Sequence, residues 1–233
     1  MSVPNTFGFK NRIINGGMVI DQRNNGASLT PTGAATYTVD RWVFKSGGVS
    51  SKASIQQNAG SVALPAGYIN YLGATSLSAC SVASGDHFSI GQYIEGLNCA
   101  DLAWGTASAA TVTLSFWVRS SLTGTFGGCL RNSASDRSYP FTYTISAANT
   151  WEQKSIIIAG DQSGTWIGAT NGVGVSVQFS LGTGSTYSFT PGAWGSYSSA
   201  ISATGATSVV GTNGATWYIT GVQLEKGSTA TAF

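Results

Sequence analysis

Apolar and polar residues alternate with a period of two along much of this chain. In Thr111–Arg119, Val112, Leu114, Phe116 and Val118 share one face, and Thr111, Thr113, Ser115 and Arg119 occupy the other. Trp117 is the exception on that polar face. Val173, Val175, Val177, Phe179 and Leu181 alternate with Gly174, Ser176, Gln178 and Ser180, and Phe141, Tyr143 and Ile145 alternate with threonines. A strand buried on one side only reads this way, because successive side chains point to opposite faces. Each segment predicts a half-buried strand of an antiparallel sheet.

Two segments change phase midway. Tyr37 and Val39 share a parity that Trp42 and Phe44 leave, and Trp217 and Ile219 are followed by Val222 and Leu224. One extra residue, near Asp40–Arg41 and near Thr220–Gly221, brings all four apolar residues of each segment to one side. That is the effect of a β-bulge, and Gly221 makes one easy. The alternative is that both strands are buried on both faces. Further strands are predicted at Gly17–Arg23, Ala53–Gln57, Tyr68–Leu72, Phe88–Glu95, Thr125–Leu130 and Glu152–Ala159. The sum is about ten to twelve short strands with Gly- and Asn-rich turns. No helix longer than a turn or two is predicted, and the Ala-rich Ala107–Ala110 reads as a turn ahead of a strand. The fold class is all-β: an antiparallel two-sheet β-sandwich, a jelly roll, over residues 17–233. Residues 1–16 lack a period and form an N-terminal arm able to dock on a neighbour.

Composition agrees with strands and turns. Of 233 residues, 42% are hydrophobic, enough for a substantial core, but only 9% are charged, against roughly 25% in an average soluble protein. Solubility falls to Ser, Thr, Asn and Gly. Net charge is +2, and the basic residues form no run of the kind that tracks a phosphate backbone, so nucleic acid is not an expected partner. No window approaches the roughly 18 apolar residues of a spanning helix, and the N-terminus shows no apolar export signal. No membrane insertion is expected.

Candidate chemistry is sparse. Cys80, Cys99 and Cys129 cannot all pair, no CxxC spacing exists and His87 is the single histidine. No zinc ligand set is present, and the thiols read as free and buried. Nucleophile-elbow, phosphate-loop and HExxH patterns are missing. A glycosidase would need two of the nine carboxylates to face each other in the fold. No catalytic residue, metal or cofactor is assigned. Aromatic residues carry more information. Trp42, Trp151 and Trp217 read as filling the core or the ends of the sheets. Gly182–Ala215, rich in Gly, Ser and Thr, also carries Tyr187, Phe189, Trp194 and Tyr197; a connection this long is usually functional. Trp194, Tyr197 and Tyr187, together with Trp104, are the expected ligand-contacting residues, since a flat ring with a polar handle suits sugars and proteins alike. Trp117 is the expected interface residue.

The segments Asn15-Gly-Gly-Met-Val-Ile-Asp-Gln-Arg23 and Tyr37-Thr-Val-Asp-Arg-Trp42 resemble the opening of jelly-roll domains in bacteriophage tail-fibre and minor structural proteins. Ser115-Phe-Trp-Val-Arg119 and Ser138-Tyr-Pro-Phe-Thr-Tyr143 recur in such proteins, and the ending from Trp217, with ITGVQLEKGSTAT as its most specific part, is similar to their closing strand. These domains are similar in layout to carbohydrate-binding modules, where acidic residues of the first and last strands often hold calcium. Gly17 and Thr220-Gly221 stand at those positions here, which argues against that site, although Asp21 could serve another. The resemblance implies a virion protein, made in the host cytoplasm and released by lysis. It also implies a homotrimer that meets other virion proteins and binds a host surface glycan or protein. The alternative is a capsid decoration or fibre-assembly protein without a receptor role.

Overall fold

The computed structural model describes residues 10–233. Thirteen strands occur among them: β1 Ala35–Tyr37, β2 Val43–Gly47, β3 Ala53–Gln57, β4 Leu72–Ser76, β5 His87–Glu95, β6 Val112–Ser120, β7 Gly124–Arg131, β8 Ser138–Ile145, β9 Glu152–Ile158, β10 Val173–Thr183, β11 Ser188–Phe189, β12 Ser202–Ala203 and β13 Thr216–Lys226. The helical elements among the described residues are single 3₁₀ turns. Two antiparallel sheets face each other, one ordered β1-β2-β5-β10-β7-β8 and the other β3-β4-β13-β6-β9. The short β11 and β12 pair in parallel within the long connection after β10. The chain is an antiparallel two-sheet sandwich of jelly-roll type.

The alternating faces meet in the middle. Val112, Leu114, Phe116 and Val118 of β6 and Val175, Val177, Phe179 and Leu181 of β10 are all buried. Phe179 is the hub: the rings of Trp42, Phe116, Phe141, Tyr143 and Trp217 surround it at centroid distances of 5.0–6.5 Å. Each fully buried large side chain contributes roughly 1.5–3 kcal/mol by leaving water. Trp217 also donates its indole N–H to the Tyr143 hydroxyl at 2.9 Å, so the polar handle of each ring is satisfied inside the core.

The phase change in β13 is a bulge. Its register with β6 shifts between Thr220 and Gln223, Gly221 takes a positive φ of 61°, and Trp217, Ile219, Val222 and Leu224 are all buried. A Cβ at Gly221 would lie 2.6 Å from the Tyr68 ring, so glycine serves both the backbone angle and the close approach.

The other phase change is not a bulge. Thr36–Phe44 is a hairpin in which β1 and β2 pair through Thr36↔Phe44 and Tyr37↔Val43. Arg41, at φ 73°, turns the chain, and Trp42 donates its amide to Val39. Tyr37 consequently points outward, 47% exposed, while Trp42 and Phe44 are buried. Gly17–Arg23, predicted as a strand, forms turns. Asn15 pins them, bonding the Ile20 amide and carbonyl and the Asp40 carbonyl through its side chain, which leaves Val19 and Ile20 about half exposed. The strand predicted at Tyr68–Leu72 begins only at Leu72.

Within the described part of the predicted arm, residues 10–16, Asn11–Gly16 lies along β13. Arg12 donates its amide to Leu224, and Val222 donates to Gly16. Residues 1–9 lie outside the described residues. Cys80, Cys99 and Cys129 are free and buried.

Candidate functional site

The sheets differ in what covers their outer faces. On the five-stranded sheet, Tyr218 is roofed by Tyr71, Ala59 and Trp151. Trp151, expected in the core or at the ends of the sheets, packs half-buried against this small outer cluster, its indole N–H bonded to the Ala63 carbonyl. Trp117, half-buried on the same face, meets Tyr68 edge-on at 6.4 Å, and Tyr68 in turn meets Phe233.

On the six-stranded sheet, the connection after β10 covers the β7–β8 side, and its first residues reach the start of β5, where Tyr187 meets His87. Ile201 donates its amide to Tyr187, the Ser138 hydroxyl bonds the Tyr197 carbonyl, and Arg131 Nη1 bonds the Ala200 carbonyl at 3.3 Å. The β1, β2 and β5 side carries a strip of rings and polar groups. The period of two places them: His87, Ser89, Gly91, Tyr93 and Glu95 of β5 share the outward parity, and the register sets Lys45 beside Ser89, Gln178 beside Gly91 and Ser176 beside Tyr93. Gly91 leaves the space that the Gln178 amide occupies, for a Cβ there would lie 2.8 Å from it. Gln178 accepts from the Ser89 hydroxyl at 3.1 Å and donates to Ser176 at 2.7 Å, a closed buried network beneath the strip.

Above that network, Lys45 Nζ lies 4.3 Å from the centre of the Tyr93 ring. Beyond it, a cleft of about 190 Å³ is lined by Tyr37, Arg41, Tyr93, Ile94, Glu95, Asn171 and Val173. Arg41 closes its floor, bonding Glu95 at 2.6 Å and the Tyr93 carbonyl at 3.2 Å. Burial is the largest single effect and raises the Glu95 carboxyl, but the hydrogen bonds from Arg41, the backbone and Asn98, with the Arg41 charge, together outweigh it and hold the group below its ordinary value. At the other end of the strip His87 packs edge-on against Tyr187 at 4.9 Å. Arg41 Nε, His87 Nδ1 and Arg131 Nε are buried and without hydrogen-bond partners. Buried polar atoms are normally paired, so three such atoms along one strip distinguish it from ordinary surface.

The residues expected to contact ligand are divided by the fold. Tyr187 belongs to this strip. Trp194 and Trp104 come together elsewhere, in a cluster with Trp166 and Tyr139 at centroid distances of 4.8–5.3 Å. Trp104 is only 7% exposed, and all three indole N–H groups are bonded to carbonyls of Ala110, Ser163 and Ala159. These rings brace the end of the sandwich. Tyr197 stacks on Phe189 at 4.7 Å. The strip also holds Tyr37, Lys45, Tyr93 and Arg131, which sequence reasoning did not single out. The outward parity of Tyr93 against Phe88, Ile90 and Ile94 was the available signal.

No family model matches the chain. A search of curated proteins likewise returns no match. Solved structures do resemble it. A putative sugar binding protein from Bacteroides thetaiotaomicron VPI-5482 is 12% identical, with a TM-score of 0.50 over 94% of this chain and all of that one. A CBM4 structure is 13% identical over 92% of this chain and 99% of the other, at a TM-score of 0.42. The family 11 carbohydrate-binding module from Clostridium thermocellum, in complex with a β-1,3-1,4-mixed-linked tetrasaccharide, is 9% identical over 84% and 97%, at 0.41. At these identities the likeness to the Bacteroides protein extends to the fold.

The residues do not suit the calcium site that the sequence resemblance raised. Gly17 lies against Phe233, Thr220 donates its hydroxyl to the Asn70 carbonyl, and the Asp21 carboxylate accepts the Asn24 and Gly26 amides. Among the described residues no group of three His, Cys, Asp or Glu side chains could hold a metal ion.

Proposed function

We propose that the protein binds a glycan along the outer face of its six-stranded sheet, between the β1–β2 hairpin and the connection after β10. One observation carries this reading: the rings of Tyr37, Tyr93 and Tyr187 occupy a strip whose neighbouring Arg41, His87 and Arg131 hold polar atoms without partners. A sugar offers a C–H face that packs on a ring and hydroxyls that need donors and acceptors, so it answers both features. The description of the Bacteroides fold neighbour as a putative sugar binding protein agrees.

The setting proposed for this activity is a phage virion, in which a trimer attached to other virion proteins presents the strip to a host surface glycan. This part of the reading rests on the opening and closing segments of the sequence. Sedimentation at micromolar concentration is expected to show a trimer that Trp117→Ala weakens; a monomeric wild type would exclude the trimer.

Glycan-array screening followed by calorimetry tests the binding itself. Tyr93→Ala is expected to weaken the best glycan at least about tenfold, the equivalent of roughly 1.4 kcal/mol, and Tyr37→Ala to weaken it less. Trp194→Phe, within the braced cluster, is expected to leave affinity unchanged. Loss of binding in Trp194→Phe with normal binding in Tyr93→Ala would move the site to the long connection and defeat this assignment.

A further inference from the structure

Positive charge on the strip is uncompensated. Lys45 and Arg131 both point outward from the six-stranded sheet, and Arg131 is only 8% exposed. Among the described residues neither forms an ion pair. Lys45 has only the Tyr93 ring, while Arg131 has only the Ala200 carbonyl and leaves its buried Nε unpartnered.

The carboxylates that could neutralise them are engaged elsewhere. Glu95, Asp101, Glu152 and Asp161 are paired with Arg41, Arg12, Lys154 and Arg137, and Asp40 lies 3.8 Å from Arg23. Asp21, Asp86, Asp136 and Glu225 bond the Gly26 amide, the Ala83 amide, the Asn132 side chain and Thr231. Residues 1–9 contain no Asp or Glu.

Holding two like charges on a half-buried surface costs stability, since each loses water and repels the other. The strain shows in the titration of the neighbours. Burial and the nearby Arg131 lower the Lys45 ammonium to about 8. Burial, Arg131 and Lys45 together lower His87, against a smaller opposing effect of Asp86. A fold that only needed to be stable would have placed an acid or an apolar residue here. Uncompensated charge of this kind marks a place where a ligand brings the counter-charge.

We infer that the glycan bound on this strip is acidic, its oxyanion seated between the Lys45 ammonium and the Arg131 guanidinium while its ring packs on Tyr93. The inference rests on the glycan-binding reading above and assigns its ligand class. A carboxylate or a sulfate ester has the required charge, and the guanidinium fork can bond two oxygens of either. The Arg131 Nε and Lys45 Nζ are the donors that such an oxyanion would satisfy.

The test is calorimetry on the full chain at low and physiological salt, with trigalacturonate, a heparin-derived tetrasaccharide, and neutral xylotetraose and cellotetraose. The expected result is an acidic ligand at least about tenfold tighter than the neutral ones, weakening as salt rises. Trigalacturonate carries carboxylates alone and the heparin fragment carries sulfates besides. Binding of the heparin fragment without trigalacturonate therefore assigns the oxyanion as sulfate, and binding of trigalacturonate as carboxylate. Lys45→Met and Arg131→Met, checked for folding by circular dichroism and melting, are each expected to remove the acidic preference. Lys52→Met, which removes the same charge from β3's approach, is expected to keep it. Neutral ligands binding as tightly as acidic ones would overturn the acidic assignment while leaving glycan binding intact. No binding of any saccharide, on this panel or on an array, would overturn both.

Discussion

Single-residue deletions test how the sequence sets strand phase. β6 has no bulge, so deleting Ser115 forces half of it out of phase: either Val112 and Leu114 or Phe116 and Val118 turn to the outer face. All four are at most 1% exposed. Two such side chains lose roughly 3–6 kcal/mol of burial, a large part of the 5–15 kcal/mol that holds a typical domain together. Deleting Gly221 does the reverse. It removes the extra residue of the bulge, so Trp217, Ile219, Val222 and Leu224 fall on one face by simple alternation. Its main loss is the Val222 amide bond to Gly16, worth about 1 kcal/mol. Urea unfolding followed by tryptophan fluorescence compares the two. The Ser115 deletion is expected to yield unfolded or aggregated protein, and the Gly221 deletion a cooperative transition about 1–2 kcal/mol below wild type. Equal damage from both deletions would refute the bulge as the device that sets the phase of β13.

Three further outcomes follow from the buried charges and thiols. Lys45 has a lowered pKa of about 8 in the fold, so between there and its unfolded value of about 10.4 the unfolded chain binds more protons and stability rises with pH. Lys45→Met is expected to abolish this rise and to be no less stable than wild type at pH 7; a destabilised variant would contradict the reading of Lys45 as a functional cost. Asp161, 2% exposed, accepts two bonds from Arg137 at 2.6 and 2.8 Å. Asp161→Asn is expected to cost about 3 kcal/mol by leaving the guanidinium unpaired, and a loss below about 1 kcal/mol in urea titration would show the pair to be dispensable. Burial pushes the Cys99 and Cys129 thiols up to about 12, so neither should react with iodoacetamide at pH 8 until denaturant is added; rapid labelling of the native protein would contradict their burial.

Most of the sandwich was legible because one face of each long strand is apolar. β6, β8, β10 and, across its phase change, β13 announce themselves through parity, and parity depends only on neighbours along the chain. The errors lie where tertiary contacts decide. Thr36–Phe44 has the same phase change as β13, yet there the extra residues make a hairpin; Arg41 in a left-handed turn is not distinguishable from a bulge by apolar spacing alone. Gly17–Arg23 looks like a strand, but Asn15 bonds the backbone of Ile20 and Asp40 in its place. The site was harder to read. Trp104 and Trp194 were expected to contact ligand because of size and loop context; the fold packs both against Trp166, 62 positions beyond Trp104 and 28 before Trp194, burying Trp104 and leaving Trp194 half-buried. Lys45 and Arg131 are 86 positions apart in sequence, and only the pairing of β2 with β5, β5 with β10 and β10 with β7 brings them onto one strip.

The most direct test of glycan binding on this face is a chemical-shift titration of isotope-labelled protein with the best saccharide from an array. Shifts are expected at the amides of Lys45, Ser89, Gly91, Tyr93, Gln178 and Arg131, along one row of neighbouring strands. Shifts confined to the Trp104–Trp166–Trp194 cluster or to the face around Trp117 would contradict the assignment.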